Sequence, residues 1–222
     1  MTNNNVGDGC GYMNNQHCAN TGGLLNELNG QMGTSAPSNS VPVIKLINTH
    51  NPQSYDELEQ LIEYHYLHDC PCGIKSKGTV RDFGKNLYEA QDVAWGEKRF
   101  TLDECIQWMY NLFIINSLKG SKMEKLALNE VQQVISSQYQ VRKAESNVDE
   151  RYRVDLEICN NDTILLGIQV KPHTYVFTNE YVQASNNAKN SRYGYDVFYL
   201  YYNDEGLFVN IEDINDFLND QN

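Results

Sequence analysis

The chain is short of positive charge. Its 222 residues carry 17 Lys and Arg against 29 Asp and Glu, a formal net charge of -12. That balance argues against a protein that coats nucleic acid through its overall field. It leaves room for a DNA enzyme, which needs only a local basic surface and an acidic metal site. Long apolar runs are missing too. None approaches the roughly 20 residues of a membrane span, so no membrane partner is expected. The N-terminal residues lack the basic-then-apolar pattern of a secretory signal, and a cytoplasmic protein is the expectation. Six cysteines are present, at 10, 18, 70, 72, 105 and 159. Without a secretory signal they are not expected to form a disulfide framework. No internal repeat is visible.

What is present suits one sizeable domain with appendages. Residues 1–40 are rich in Asn, Gly and Ser. They bury too little apolar surface to offset chain entropy and are expected to be mostly disordered, with room for a short helix at 24–28. Residues 41–222 are expected to form a single domain, with a helical part at 41–122 and a core at 123–222. Apolar periodicity predicts helices at 54–67, 86–95, 101–117, 123–142, 178–190 and 212–218. Ser54 is a plausible N-cap, and Thr101 with Glu104 reads as a capping box. Lys119 and Gly120 are expected to close the third of these helices. A strand or extended entry is expected at 41–47, and strands at 152–158, 164–172, 195–202 and 207–211. The order from 123 onward is α-β-β-α-β-β, an α+β (α/β) class with a mixed sheet flanked by helices.

Two of those strands carry the chemistry. Asp155 and Glu157 share one strand face, because side chains two apart point the same way. Gln169 and Lys171 share a face on the next strand, while the apolar residues between them point the other way. If the strands pair, an acid, an amide oxygen and a lysine line one edge of a sheet. Mg²⁺ prefers hard oxygen ligands and keeps several waters, so one or two carboxylates suffice. Asp155 is the first-choice ligand, with the Gln169 side-chain oxygen and the Val170 carbonyl as weaker ones. Lys171 would face the attacking water and the scissile phosphate. A bare D…QxK pattern also occurs in β-hairpins that hold no site.

Asp155 followed by Gln169, Val170 and Lys171, set between helices, resembles the PD-(D/E)XK nuclease superfamily, and within it the type II restriction endonucleases. The likeness covers residues 123–211. It implies a restriction-endonuclease-like α-β-β-α-β core and Mg²⁺-dependent cleavage of double-stranded DNA at a short specific site, with Mn²⁺ as a substitute. Asp155 matches the metal-binding aspartate, Gln169 the second acidic position and Lys171 the lysine. Val154 stands where the motif has proline. Gln169 gives up a negative charge at the metal. In some relatives a carboxylate from the preceding helix replaces it, which makes Glu145 the candidate here, with Glu157 as the second. A palindromic site implies a homodimer, and a restriction system implies a cognate DNA methyltransferase. A fainter likeness to the small enzymes that cut CTAG rests on Ile47 and Asn48, on Gly78 and Thr79 leading into Phe83 and Gly84, and on Ala144 and Glu145. It also rests on Gln169, Val170, Lys171 and Pro172 followed by Tyr175. Another DNA nuclease, or a non-catalytic DNA-binding protein on the same fold, remains open.

Other groups have a functional and a bland reading. The loop at 74–85 holds Lys75, Lys77, Arg81 and Lys85 against a single acid, Asp82. With Ser76 and Thr79 as further donors it would suit DNA phosphates, or it is simply a solvated loop. His173, Lys189 and Arg192 follow the second strand and could approach DNA, or cap a polar helix end. His65, His68, Cys70 and Cys72 are crowded enough to suggest structural zinc, although the spacing H-x-x-H-x-C-x-C departs from standard zinc patterns. The tyrosines at 195–202 suit a packed strand better than base stacking.

Overall fold

A computed structural model describes residues 23–33, 40–178 and 180–220. The disorder expected over residues 1–40 falls mostly on positions outside those ranges. Within them, the expected short helix is α1 (Leu24–Met32), and its Leu25 and Leu28 are fully buried. The chain divides into two compact units, residues 1–119 and 120–222.

The first unit is helical. After α1 come α2 (Val43–His50), α3 (Tyr55–Leu67), α4 (Val80–Trp95) and α5 (Leu102–Tyr110), then a π-helical turn at Asn111–Asn116. The strand or extended entry expected at 41–47 is instead α2. Its Val43, Leu46 and Ile47 are buried at helical spacing, and that packing outweighs the β-branched composition. Ser54 caps α3 by accepting from the Glu57 amide, and the Thr101–Glu104 capping box opens α5. A second box was not foreseen. Thr79 accepts from the Asp82 amide, and Asp82 accepts from the Thr79 amide at 2.9 Å. It starts α4 at Val80 rather than 86, so half of the expected basic loop is helix. Gly84 lets α4 and α5 meet closely. A Cβ there would stand 2.5 Å from Ile106 Cγ1 and 2.7 Å from Ile106 Cα.

The helix stop expected at Lys119 and Gly120 does not occur, because α6 (Ser117–Val134) runs through both. A lone helical glycine costs only about 1 kcal/mol, which neighbouring turns absorb. The helix expected to last until 142 ends at Val134. In the second unit β1 (Gln140–Lys143) and α7 (Ser146–Tyr152) follow, then β2 (Leu156–Asn160) and β3 (Thr163–Pro172). The strand expected at 152–158 therefore begins four residues late, because Tyr152 ends α7 and Arg153 takes φ 61° as its C-cap. A 3₁₀ turn at His173–Phe177, α8 (Glu180–Asn190), β4 (Val197–Tyr202) and α9 (Asp213–Asp220) complete the unit.

The sheet order is β1-β2-β3-β4, with the first two pairings antiparallel and β3–β4 parallel. This is an α+β fold with a four-stranded mixed sheet flanked by helices, compatible with a restriction-endonuclease-like fold. Leu156, Ile158, Leu166, Ile168, Val170 and Leu200 pack with Met123, Ala127 and Val131 of α6 and with Ile214 and Leu218 of α9. The return strand expected at 207–211 is reduced to a single bridge, Tyr202 to Phe208. The Asn210 side chain takes its place beside β4. It accepts from the Tyr201 amide at 2.8 Å and donates to the Tyr199 carbonyl at 2.9 Å. Among the described residues no helix is long and apolar enough to cross a membrane.

Candidate active site

Asp155 sits where the chain leaves α7 and enters the sheet. Its amide donates to the Ile168 carbonyl at 2.8 Å, and its carbonyl accepts from the Ala144 amide at 3.0 Å. The Asp155 carboxylate takes up a backbone donor of β3, its Oδ2 accepting from the Val170 amide at 2.7 Å. One backbone donor thus fixes one carboxylate oxygen, and the side chain is nearly sealed from water.

Two further acids surround it. Glu124 on α6 and Asp149 on α7 both act on the Asp155 carboxyl, as does Lys171 on β3. Burial pushes the Asp155 carboxyl up to about 7; Lys171 and the Val170 amide oppose the rise, while Glu124 and Asp149 add to it. Burial also raises Glu124, against the pull of Lys143 and Lys171 and with a push from Asp149. Asp149 is raised by burial too, opposed by Arg153, Lys143 and Lys171. Lys143 Nζ stands 3.7 Å from Glu124 Oε2. Lys171 Nζ lies 5.7 Å from the Tyr175 ring centroid. Lys171 thus acts on all three partly desolvated carboxylates and Lys143 on Glu124 and Asp149, a set of hard oxygens with more acids than lysines. That is the chemistry a divalent cation satisfies.

The expected ligands and donors are distributed as follows. Asp155 and Lys171 are brought together. Glu145 is the exposed N-cap residue of α7. Glu157 is buried and engaged elsewhere, accepting from Arg142 Nε at 2.8 Å and from the Tyr193 hydroxyl. Gln169 is buried, and its Oε1 accepts from Asn190 Nδ2 at 3.3 Å. Asn190 Nδ2 also donates to the Tyr199 hydroxyl at 2.8 Å. Lys75, Lys77, Arg81 and Lys85 are exposed, and Lys75 pairs with Asp69 at 3.0 Å. Ser76 is buried and donates to the Gly78 carbonyl, while Thr79 is spent on the α4 cap. His173 is exposed, with its ring edge toward Phe177 and Tyr201. Lys189 is held below the ordinary lysine range, first by Arg153 and then by burial and Arg192. Of the proposed zinc ligands, His65, Cys70 and Cys72 come together with His50. His68 instead stacks on Tyr64.

Sequence reasoning missed Glu124, Asp149 and Arg153. A signal for Glu124 existed. It stands beside the apolar stripe Met123, Ala127 and Val131, where an acid must be half-buried. The rule that the preceding helix supplies the carboxylate pointed to Glu145 only because that helix was extended to 142.

A family model described as MjaI restriction endonuclease matches residues 22–215. No curated protein and no solved structure gives a significant match. The match spans both units, the acidic cluster and the lysine beside it, and the chain belongs to the MjaI restriction endonuclease family.

Proposed function

We propose that this restriction endonuclease is a Mg²⁺-dependent type II enzyme that hydrolyses double-stranded DNA at a short specific site, and that Asp155, Glu124, Asp149 and Lys171 form its centre. The reading is supported by the electrostatic influence of Lys171, Glu124 and Asp149 on an Asp155 carboxylate that the Val170 amide holds in place. Asp155 and Glu124 would hold the cation, with Asp149 adding charge, so the carboxylate that Gln169 lacks comes from α6. When bound, Mg²⁺ would polarise the phosphate and lower the pKa of a bound water. The chain's own residues do the rest. The Val170 amide aims the Asp155 carboxylate. The Lys171 ammonium offers its charge to the phosphate oxygens and a hydrogen bond to the incoming water. Gln169, bonded to Asn190, ties the end of α8 to β3.

DNA needs a cationic surface that the average composition hides. Arg153, Lys189 and Arg192 are crowded enough to depress a lysine, and Arg153 also acts on Asp149 of the acidic cluster. Such crowding of like charges is relieved by a phosphate backbone. Lys75, Lys77, Arg81 and Lys85 offer a second basic surface. His173, exposed two residues beyond Lys171, is a further candidate contact. A palindromic site would be met by a homodimer with one centre per strand, protected in the cell by a cognate methyltransferase.

The test is incubation with Mg²⁺ and plasmid DNA that carries many short sites, CTAG among them. Wild type is expected to give discrete fragments, and Asp155→Ala and Lys171→Ala none. Random nicking would point to another kind of nuclease. Intact plasmid with retained DNA binding would point to a non-catalytic member of the fold.

A further inference from the structure

His50, His65, Cys70 and Cys72 offer four ligand atoms that all lie within 4.8 Å of one another. They come from three places in the helical unit: the last residue of α2, the last turn of α3, and the turn that follows α3. The geometry of His65 decides how its ring is used. Its Nδ1 stands 2.7 Å from the Leu61 carbonyl, an acceptor only, so in the neutral ring Nδ1 carries the proton. That leaves a lone pair on Nε2, which points at Cys72 Sγ from 3.3 Å. A ring nitrogen bonded to a backbone carbonyl, with the other aimed at a thiol, is how a metal-binding histidine is held. His65 is fully buried. The His50 ring lies 4.9 Å from it, centroid to centroid.

The Cys70-Pro71-Cys72-Gly73 turn completes the arrangement. The Gly73 amide donates to the Cys70 carbonyl at 2.9 Å, and Gly73 takes φ 73°, which glycine adopts without strain. The turn places both thiols on the side of His65. The Ser76 amide then donates to the His65 carbonyl at 3.1 Å, which docks the outgoing chain on the same helix end. Both histidines lie at helix C-termini, where partial negative charge favours a cation. Tetrahedral zinc, with bonds of about 2.0–2.3 Å, sets its ligand atoms about 3.3–3.8 Å apart, which the His65–Cys72 separation meets.

We infer that His50, His65, Cys70 and Cys72 bind one structural zinc ion, a Cys₂His₂ site that ties the ends of α2 and α3 to the turn leading into α4. Two nitrogens and two sulfurs select zinc over the hard cations suited to the acidic cluster. Binding displaces the two thiol protons. His68, expected from spacing to be a ligand, is replaced by His50. It stacks on Tyr64 instead, at 4.8 Å between centroids. The site stands independently of the nuclease reading.

The test is elemental analysis of full-length, untagged protein after exhaustive dialysis, together with the Co²⁺-substituted spectrum. Wild type is expected to retain about one zinc per chain and to show thiolate-to-cobalt charge-transfer bands. His50→Gln and Cys72→Ser are expected to lose the metal, and His68→Gln to keep it. If a ligand variant fails to fold, the wild-type metal content and cobalt spectrum still decide. No zinc in wild type after zinc supplementation, another metal in its place, or a cobalt spectrum without thiolate bands would overturn the site. So would loss of zinc in His68→Gln together with its retention in His50→Gln.

Discussion

Among the described residues a His/Cys cluster and an acidic group stand out, and they differ in ligand chemistry and in what holds them. The helical unit gathers nitrogen and sulfur at helix ends and a tight turn, from His50, His65, Cys70 and Cys72. The sheet unit gathers carboxylates from α6, α7 and the start of β2, with a lysine from β3. The first cluster is held by local backbone bonds: His65 Nδ1 to Leu61, Gly73 to Cys70, Ser76 to His65. The second is held by a sheet register and stores electrostatic cost, since burial raises all three acids and a neighbouring acid adds to each rise, Asp149 on Glu124, Glu150 on Asp149, and Glu124 with Asp149 on Asp155. Soft ligands in a closed knuckle suit a resident structural ion. Hard ligands with unsatisfied charge suit an ion that comes with substrate.

The largest effect expected is on cleavage. Asp155→Ala removes both the proposed metal ligand and the acceptor for the Val170 amide. It should lower the plasmid cleavage rate by about 10³-fold or more, in the range of losing a central electrostatic or acid–base group. Loss of a single ligand from the His/Cys cluster should act first on thermal stability instead. A variant of Cys72 that melts normally but cuts poorly would break the distinction.

In the helical unit, Gly84→Ala forces a Cβ into the Ile106 backbone and should destabilise by about 1–3 kcal/mol in urea unfolding. An unchanged midpoint would show that α4 and α5 can separate freely.

In the sheet unit, charge should destabilise where no divalent ion is added. The Asp155 carboxyl is raised from near 4 in the unfolded chain to about 7 in the folded protein. Its contribution to stability is therefore full below pH about 4 and lost as pH rises through about 7. Asp155→Asn keeps an oxygen for the Val170 amide and discards the charge. Its stability relative to wild type should grow between pH 5 and pH 8, as followed by urea midpoints without added Mg²⁺. A constant difference across that window would mean that the carboxylate bears no such cost.

The smallest effects belong to the basic surface. Lys189→Ala or Arg192→Ala should each weaken DNA binding and reduce the slope of log K against log salt by roughly 1. A slope unchanged in both variants would remove that surface from the DNA interface.

The strands around the centre were legible because β3 alternates cleanly, with Leu166, Ile168 and Val170 facing the core and Gln169 and Lys171 turned away. Two elements that bury almost nothing, β1 and α7, carry too little apolar signal to be read. β1 is an edge strand with one half-covered residue in four, and α7 buries none of its residues. Apolar periodicity merges both into longer neighbours and extends the helix before the sheet to 142, which puts Glu145 beside its end; with α6 ending at Val134, the helical acid proposed for the site is Glu124. The His/Cys cluster shows the same limit. Cys70, Cys72 and His65 are neighbours in sequence and were found together, whereas His50 arrives only through the packing of α2 beside α3. The β-branched Val43, Ile44 and Ile47 suit the strand or extended entry expected at 41–47 as well as they suit α2.

The central claim is that the charge absent from Gln169 is supplied across the sheet by α6. The most direct measurement is the Mg²⁺-dependent cleavage rate of Glu124→Gln beside Glu145→Gln, both variants confirmed folded. Glu124→Gln should lose about 10²-fold or more while Glu145→Gln stays close to wild type. Full activity in Glu124→Gln with loss in Glu145→Gln would contradict the account and return the missing carboxylate to the start of α7.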